Sequence, residues 1–237
     1  MSSVSFPLCT YIGNYAFYKC EGLLSVSFPN CTQIGNFAFQ ICGSLSSIRF
    51  SNCLSIGTYA FMNCKKLTFV SLPKCEYIES NAFYGCSGLI TISLPMCSYI
   101  GSHVFRECYS LETVSFPSCK YIGNYIFYSC SALKSISLPE CSYIGPHAFR
   151  ECYSLSRISF PKCERIADYA FGKCTSLNIA VIGTGLSTIC SLESNNCFSS
   201  DTLVSIYVPD SLVASYKVAT YWSLISSRIF SISQLPA

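Results

Sequence analysis

A fixed spacing of cysteines governs most of the chain. Sixteen of the eighteen cysteines stand eleven residues apart, in an unbroken series from Cys9 to Cys174. Alternate members of the series occupy the same position of a 22-residue repeat, of which residues 23–44, LLSVSFPNCTQIGNFAFQICGS, are one complete copy. A repeat of this length cannot bury a hydrophobic core by itself, so neighbouring copies must stack on one another as a solenoid.

Composition agrees with a packed array and excludes several other classes. Hydrophobic residues make up 51% of the 237 residues and charged residues only 11%, so the chain is not disordered. The formal net charge is +3, and the basic residues are scattered apart from Lys65 and Lys66. We therefore expect no nucleic-acid partner. The apolar runs are short, so we expect no membrane insertion.

The first half of each copy predicts a short β-strand. In the copy quoted above, Leu23 is followed by Val26 and then Phe28, and residues 25–28 alternate between polar and apolar. This alternation is typical of a half-buried strand, and the proline that usually follows ends it. Stacked in parallel at about 4.8 Å, such strands form a continuous sheet.

The second half of each copy follows a different period. Ile34, Ala38, Phe39 and Cys42 lie at offsets of 0, +4, +5 and +8, which is close to one face of a helical turn. The Ile and the Phe recur in all eight copies, and Gly follows the Ile in six of them, where the chain must change direction. This half therefore predicts a short helical or 3₁₀ turn in every coil.

Both halves resemble a known family. The pattern LxxVxFxxCxxI resembles the leucine-rich repeat signature, and IGxxAFxxCxxL resembles the BspA-type subclass, found on bacterial surfaces and in some protists. The resemblance extends from residue 1 to about residue 209. It implies an α/β fold, a right-handed leucine-rich-repeat solenoid of about ten coils, with a parallel sheet on one face and short helical or 3₁₀ turns on the other.

The repeat is irregular at its two ends. Met1 stands where other copies have Leu, so the array starts in the middle of a repeat, and we expect it to belong to a longer chain. We assign residues 1–202 to the array, with an irregular last coil over residues 177–202. Phe198 continues the Phe position there, which places Cys197 at the Ala position and Cys190 at the Gly position.

Residues 203–237 predict a final strand followed by a C-terminal helical cap. The strand is expected within LVSIYVP, and the helix within DSLVASYKVATYW, with Asp210 or Ser211 as its N-cap. A cap is needed because the last coil would otherwise expose its core. The helix positions expected to face that core are Leu212, Val213, Tyr216 and Ala219.

The cysteines predict packing rather than chemistry. Both cysteine positions point inward, where a free thiol behaves as a small hydrophobic group. No CxxC-like pairs converge on a point, so we expect no metal site. Thiols in adjacent coils have parallel Cα–Cβ bonds, which hold the Cβ atoms about 4.8 Å apart, farther than the roughly 3.8 Å of a disulfide. We predict mostly reduced thiols, with Cys190 and Cys197 the pair most prone to oxidation.

No constellation of residues indicates an enzyme or a cofactor. The two histidines, His103 and His147, occupy the same repeat position in near-duplicate segments and are interpreted as surface residues copied by duplication. The GTG of residues 183–185 lacks the glycine spacing of a phosphate-binding loop. We therefore expect no catalytic residues and no cofactor.

Two surfaces are candidates for binding. Thirteen of the sixteen residues that flank the buried Val or Ile of the strands are Ser or Thr, and the exceptions are Arg49, Phe69 and Arg157. The second surface is aromatic, with Tyr121, Tyr125 and Tyr128 spaced as one face of the turns. Tyrosine is a preferred contact residue of interfaces. Each surface also has a purely structural interpretation, as a solvated sheet or a cover for the Phe position beneath it.

We therefore predict a non-enzymatic binding or adhesion module of a cell-surface or secreted protein. The location and the partner, a host, matrix or cell-surface protein or glycan, are implied by the family resemblance. One alternative is a structural spacer without a ligand of its own. A more remote one is lattice (ice) binding through the regular Ser/Thr columns of the sheet.

Overall fold

The computed structural model describes residues 2–198 and 204–236 as a stack of short parallel strands. Each coil of the repeat contributes two strands, one to each of two parallel sheets. The strands of the first sheet are β1 (Ser3–Ser5), β3 (Ser25–Ser27), β5 (Ser47–Arg49), β7 (Phe69–Ser71), β9 (Thr91–Ser93), β11 (Thr113–Ser115), β13 (Ser135–Ser137), β15 (Arg157–Phe160), β17 (Ile179–Ile182), β19 (Ser205–Val208) and β20 (Ile229–Ser231). The strands of the second sheet are β2 (Tyr11–Ile12), β4 (Gln33–Ile34), β6 (Ser55–Ile56), β8 (Tyr77–Ile78), β10 (Tyr99–Ile100), β12 (Tyr121–Ile122), β14 (Tyr143–Ile144), β16 (Arg165–Ile166) and β18 (Ser191–Leu192). The predicted parallel-sheet solenoid of about ten coils is confirmed.

Equivalent repeat positions lie side by side in both sheets. In the first sheet Val4 pairs with Val26, and in the second Ile12 pairs with Ile34. The ladder of hydrogen bonds is interrupted between β3 and β5, between β11 and β13, and between β10 and β12, but these strands still contact one another. The 22-residue period of the sequence therefore sets the register of the whole stack.

The core lies between the two sheets and consists of the predicted repeat positions. The Leu, Ile, Phe and Cys positions are buried from the second coil to the eighth, and the Phe rings form a continuous stack, as between Phe39 and Phe61 at 5.1 Å. Burial is weaker at the two ends of the stack. In the first coil Phe17 and Cys9 are half-buried and Cys20 is exposed, and in the ninth Leu192, at the Ile position, is half-buried. The predicted burial of the Phe position is thus confirmed, with Phe17 half-covered because no coil precedes it in the structure.

The second half of the coil differs from the predicted helical turn. It is a run of β-turns that follows the second sheet, and we call this side of the molecule the turn face. In the third coil the N–H groups of Ala60, Met62 and Cys64 donate to carbonyls three residues earlier. The N–H groups between them donate to the next coil instead, as from Phe61 to Ala82 O at 2.7 Å. Hydrogen bonds therefore join adjacent coils on both sides of the core.

Left-handed backbone conformations explain why these turns are not helical. In the third coil Tyr59 and Asn63 both have a φ of 59°, and residues at the same two positions have positive φ in every coil from Tyr15 to Lys173. A large L-residue adopts this conformation only when its surroundings compensate for the strain. The rings at the Tyr59 position stack on those of neighbouring coils, as with Phe37 at 5.0 Å, and this stacking is one source of compensation.

The thiols form two ladders that donate hydrogen bonds. In the second ladder, which runs from Cys20 to Cys174 in steps of 22, Cys64 Sγ donates to Phe39 O of the preceding coil at 3.1 Å, and the contact recurs along the ladder. In the first ladder, which runs from Cys9 to Cys163, each thiol donates to the carbonyl two residues on, as from Cys31 to Gln33 at 3.2 Å. All eighteen cysteines are described and have free thiols, and the expectation that they remain reduced in solution stays a prediction.

Cys190 and Cys197 do not occupy equivalent places. The backbone of Cys197 accepts a hydrogen bond from Phe171 N–H, which confirms its assignment to the Ala position. Cys190 was wrongly assigned to the Gly position, since it precedes β18 and places its sulfur 3.8 Å from Cys163 Sγ. It therefore extends the first thiol ladder, because the inserted residues of this coil lie elsewhere in the loop. The nearest sulfur to Cys190 is that of Cys163, not that of Cys197.

The chain ends in a cap of one α-helix, α1 (Val213–Val218), and 3₁₀ segments at Asp210–Leu212, Trp222–Arg228 and Ile232–Gln234. Tyr216 and Trp222 are completely buried against the last coil. Tyr216 Oη accepts a hydrogen bond from Cys190 N–H, and Trp222 Nε1 donates to Cys190 O, both at 2.7 Å. The predicted face of the helix packs against the core: Leu212, Val213, Tyr216 and Ala219.

Two features of the cap were not predicted. β20 follows the helix and pairs in parallel with β19, adding a strand beyond the one expected in LVSIYVP. Asp210 does not cap α1 and instead accepts hydrogen bonds from Ser231 Oγ and Ser233 N–H. The expected boundary at residues 202 and 203 lies outside the described residues.

Candidate binding surfaces

The exposed side of the first sheet, which we call the sheet face, carries the two predicted columns of polar residues. Ser3 pairs with Ser25, and Thr91 with Thr113, so hydroxyl groups repeat at the strand spacing of about 4.8 Å. These side chains are mostly exposed, while the Val or Ile between them is buried in most strands. The face is therefore polar and nearly uncharged, and its three exceptions stand out.

The structure brings two of the three exceptions together. Phe69 lies in β7, beside Ser47 of β5, and Arg49 is two residues further along β5. The Arg49 guanidinium lies over the Phe69 ring at 4.5 Å from its centroid, although 40% of the Phe69 surface remains exposed. This cation–π pair forms a flat, partly apolar patch with one positive charge.

Arg157 stands apart from this pair. It occupies the same column as Phe69, four coils further on, which is about 19 Å at the strand spacing. Its side chain borders a shallow groove of 280 Å³ together with Thr113, Ser135 and Ser137. The sheet face thus carries two separate positive charges, and only one of them is paired with an aromatic ring.

The three tyrosines of the turn face also divide into two groups. Tyr121 belongs to β12, is 50% exposed, and stacks on Tyr143 of the next coil at 4.8 Å. Tyr125 and Tyr128 contact each other at 5.7 Å, and the Arg106 guanidinium lies 4.8 Å from the Tyr128 centroid. The spacing that suggested one aromatic face therefore joins only Tyr125 and Tyr128, because Tyr121 precedes the turn that reverses the chain.

Tyr125 is covered on both ring faces by the two histidines. Its centroid lies 4.8 Å from that of His103 and 4.6 Å from that of His147. Burial, and secondarily the nearby guanidinium of Arg106 or Arg150, lowers the pKa of each histidine below its ordinary value. The two histidines and Tyr125 therefore form one continuous stack of rings across three coils.

Ion pairs accompany the aromatic stack at two places. Glu107 pairs with Arg106 at 3.2 Å and accepts a hydrogen bond from Tyr84 Oη at 3.2 Å. Two coils on, Glu151 pairs with Lys173 at 3.1 Å and accepts from Ser129 Oγ at 2.9 Å. Burial opposes ionisation of Glu151, but these hydrogen bonds outweigh it and lower the pKa of its carboxyl. Such networks join neighbouring coils through their side chains.

Sequence reasoning missed a groove on the turn face. Tyrosine occupies the first position of β2, β8, β10, β12 and β14, but β4 and β6 carry Gln33 and Ser55 there. The missing rings leave a groove of 360 Å³ whose floor includes Gly35 and Gly57. We call this the turn-face groove, and Glu79 lies in its wall. The only sequence signal for it is the break in the tyrosine column.

The described part of the chain offers little for other chemistries. Within residues 2–198 and 204–236, no group of three or more His, Cys, Asp or Glu residues is arranged to hold a metal ion. Among the same residues, no helix has the length and apolar character needed to cross a membrane.

Comparison with solved structures identifies similar solenoids in two bacterial proteins. A leucine-rich cell surface protein from Faecalibacterium prausnitzii A2-165 is 26% identical, with a TM-score of 0.63, over 77% of this chain and 63% of its own. A leucine-rich repeat protein from Bacteroides ovatus ATCC 8483 is also 26% identical, with a TM-score of 0.67, over 98% of this chain and 66% of its own. This chain therefore spans just under two thirds of either relative.

More distant structures share the fold alone. The pneumococcal vaccine antigen PcpA is 16% identical, with a TM-score of 0.50, over 98% of this chain and 78% of its own. No curated protein sequence matches the chain. The BspA type leucine rich repeat region, however, matches in six copies over residues 1–112 and 98–223. Together with the repeat geometry, this match shows that the chain belongs to the BspA-type leucine-rich repeat family.

Proposed function

We propose that the chain is a non-enzymatic adhesion module that binds a host, matrix or cell-surface protein or glycan through its sheet face. Leucine-rich repeat solenoids of this kind are protein-interaction modules and are typically non-enzymatic. The name of one similar structure, a leucine-rich cell surface protein, supports a location at the cell surface. The finer assignment to adhesion rests on the sheet face.

The observation that supports this assignment is the contact between Arg49 and Phe69. An exposed aromatic ring beneath a guanidinium combines apolar area with a charged hydrogen-bond donor, and both residue types recur at the energetic centres of interfaces. The surrounding Ser and Thr side chains are short and lose little conformational entropy when a partner covers them. Arg157 would engage the same partner only if the partner extends along four coils.

The test is capture of candidate partners by immobilised protein and its variants. We expect the intact array to bind at least one member of a panel of matrix proteins, mucins and glycans, and we expect Arg49→Glu and Phe69→Ala to weaken that binding about tenfold or more. Lys66→Glu is the matched control, because it reverses the same charge at an exposed position outside the sheet face. Equal melting temperatures would show that the variants fold.

Two outcomes contradict the proposal. If nothing in the panel binds, the array is better explained as a spacer. If a partner binds but Arg49→Glu and Phe69→Ala bind it as well as Lys66→Glu does, the contact surface lies elsewhere. Tyr128→Ala then tests the aromatic pair on the turn face, where Tyr128 is the more accessible partner because Tyr125 is covered on both ring faces.

A further inference from the structure

We propose that the turn-face groove is a binding site for a neutral saccharide. The site lies on the opposite side of the core from Arg49 and Phe69, so it goes beyond the proposed function and does not depend on it. Its volume of 360 Å³ is within the range of small-molecule sites. The shape of its floor, its free hydrogen-bonding groups and its charge all favour a neutral saccharide.

The floor of the groove is bare backbone because two glycines lack side chains. A Cβ atom added to Gly35 would lie 2.6 Å from Asn14 Oδ1, and one added to Gly57 would lie 2.5 Å from Asn36 Oδ1. Both distances are shorter than any ordinary contact, so only glycine fits at these positions. The floor of the groove therefore has no side chain at these two positions.

Asparagine amides line the groove in a fixed orientation. Asn14 Oδ1 accepts the N–H of Asn36 at 2.8 Å, and Asn36 Oδ1 accepts the N–H of Thr58 at 2.9 Å. Each amide must then direct its NδH₂ group away from the backbone, and no described residue accepts a hydrogen bond from it. These groups are donors held in place before any ligand arrives, which reduces the entropic cost of binding.

The remaining walls complete the requirements of a sugar ring. Gln33 supplies an amide that is both donor and acceptor, and Ser55 and Thr58 supply hydroxyl groups. Tyr11, which is 49% exposed, offers an aromatic surface against which the C–H groups of a sugar can pack. A molecule with many hydroxyl groups and one apolar face matches this lining, whereas an extended peptide would need apolar side-chain pockets that are absent from the lining residues.

Charge distinguishes a neutral saccharide from other ligands. Glu79 is the only charged residue in the lining, so an acidic sugar or a phosphate would be repelled. A single carboxylate is also too few for a calcium ion, which takes six to eight oxygen ligands. The carboxylate can still accept hydrogen bonds from sugar hydroxyl groups, a role that the amide oxygen of a glutamine also fills.

The test uses methyl glycosides of glucose, galactose, mannose and N-acetylglucosamine with the intact protein, measured by saturation-transfer NMR and calorimetry. We expect at least one glycoside to bind saturably with a Kd of about 1–10 mM. Ser55→Tyr should weaken that binding about tenfold or more, because it restores the ring that equivalent strands carry and fills the groove. Tyrosine is compatible with the fold at this position of the repeat, so this variant is expected to fold.

Ser191→Tyr is the matched control, because it adds the same ring to the same column outside the groove. Glu79→Gln should change the affinity by less than about threefold for a neutral ligand, whereas a bound cation would be lost. The proposal is overturned if no glycoside binds at about 20 mM, if only acidic sugars bind, or if Ser55→Tyr binds like Ser191→Tyr. Arg49→Glu should bind the glycoside normally, which separates failure of this site from failure of the sheet face.

Discussion

Raising the pH should unfold this protein over an unusually narrow interval, because its core consists partly of thiols. Burial raises the pKa of the completely buried thiols above the ordinary value of 9.0, in the case of Cys174 to about 12. Six members of the second ladder share this environment: Cys64, Cys86, Cys108, Cys130, Cys152 and Cys174. In the folded protein these groups stay protonated through pH 10, whereas in the unfolded chain they ionise above pH 9.

The magnitude follows from proton linkage. A thiol that ionises only in the unfolded chain stabilises that chain by about 0.06 kcal/mol at pH 8, about 0.4 at pH 9 and about 1.4 at pH 10. The six thiols together then cost the folded state about 8 kcal/mol at pH 10, which is comparable to the total stability of an ordinary domain. The buried thiols of the first ladder act in the same direction, so this figure is a lower bound.

The assay is guanidinium unfolding in reductant between about pH 8 and about pH 10, followed by circular dichroism. We expect the free energy of unfolding to fall with a slope that approaches about 8 kcal/mol per pH unit or more. The double variant Cys86→Ala with Cys108→Ala should reduce this slope by about 2.7 kcal/mol per pH unit. A slope below about 2 kcal/mol per pH unit, or thiolate absorbance that develops while the fold persists, would refute the reasoning.

Four further predictions follow from the core, the first coil, the aromatic stack and the cap. Phe105→Ala should cost about 3–5 kcal/mol, seen as a lower melting temperature, because it leaves a gap in the continuous ring stack, and an unchanged melt would count against the assignment of that position. Iodoacetamide should label Cys20 in the native protein and label all the buried thiols only after denaturation without reductant, and recovery of disulfide-linked peptides would contradict this. Burial lowers the pKa of His103 and His147, so the unfolded chain binds more protons than the folded protein just below pH 6.5. The free energy of unfolding should therefore fall on acidification in that range. Replacing both histidines by Tyr should remove this pH dependence in urea melts. Trp222→Phe should destabilise the cap by about 1–3 kcal/mol by leaving Cys190 O without its donor, and unchanged hydrogen exchange in the cap would show that this bond is unimportant.

The strand half of each coil could be predicted because its side chains obey a strict rule. Alternation along residues 25–28 identified Val26 as the inward-facing residue of its strand, and the 22-residue period then identified the register of every strand. The buried Phe and Cys positions followed from the same period. These features depend on which face of the sheet is apolar, and sequence pattern reports that directly.

The turn half could not be predicted at the same level, since its spacing is ambiguous. Offsets of 0, +4, +5 and +8 suit a helix, but they equally suit consecutive β-turns in which residues such as Tyr59 and Asn63 adopt positive φ. A tyrosine is an improbable residue for that conformation, and the stacking between coils that helps to compensate for it is not visible in the sequence of one repeat. The turn-face groove was missed for a related reason, because a shallow site arises where two side chains are small.

The end of the array was partly predictable. The helix face of the cap was correct because it depends on helical periodicity, but Asp210 was misassigned because an acidic residue before a helix resembles an N-cap whether or not it bonds the helix. Cys190 was misplaced because the last coil contains additional residues. They change the spacing in sequence between Cys190 and Cys163, but the Cys190 sulfur still lies next to that of Cys163. A repeat position cannot be assigned by sequence spacing alone in a coil whose loop is longer than that of the regular repeat.

The alternating hydrogen bonds of the turn face have a consequence for how this gene can change. Each coil is joined to its neighbours through backbone groups that are the same in every coil, as between Phe61 N–H and Ala82 O, so the joint does not depend on which two coils meet. Excision of residues 111–132 would bring Leu133 to the place of Leu111 and remake the same joints. Unequal recombination between copies can therefore lengthen or shorten the array by whole repeats, and the resulting proteins keep the same contacts between coils. Variation in the length of the array then becomes available at little structural cost, independently of substitutions on the exposed columns.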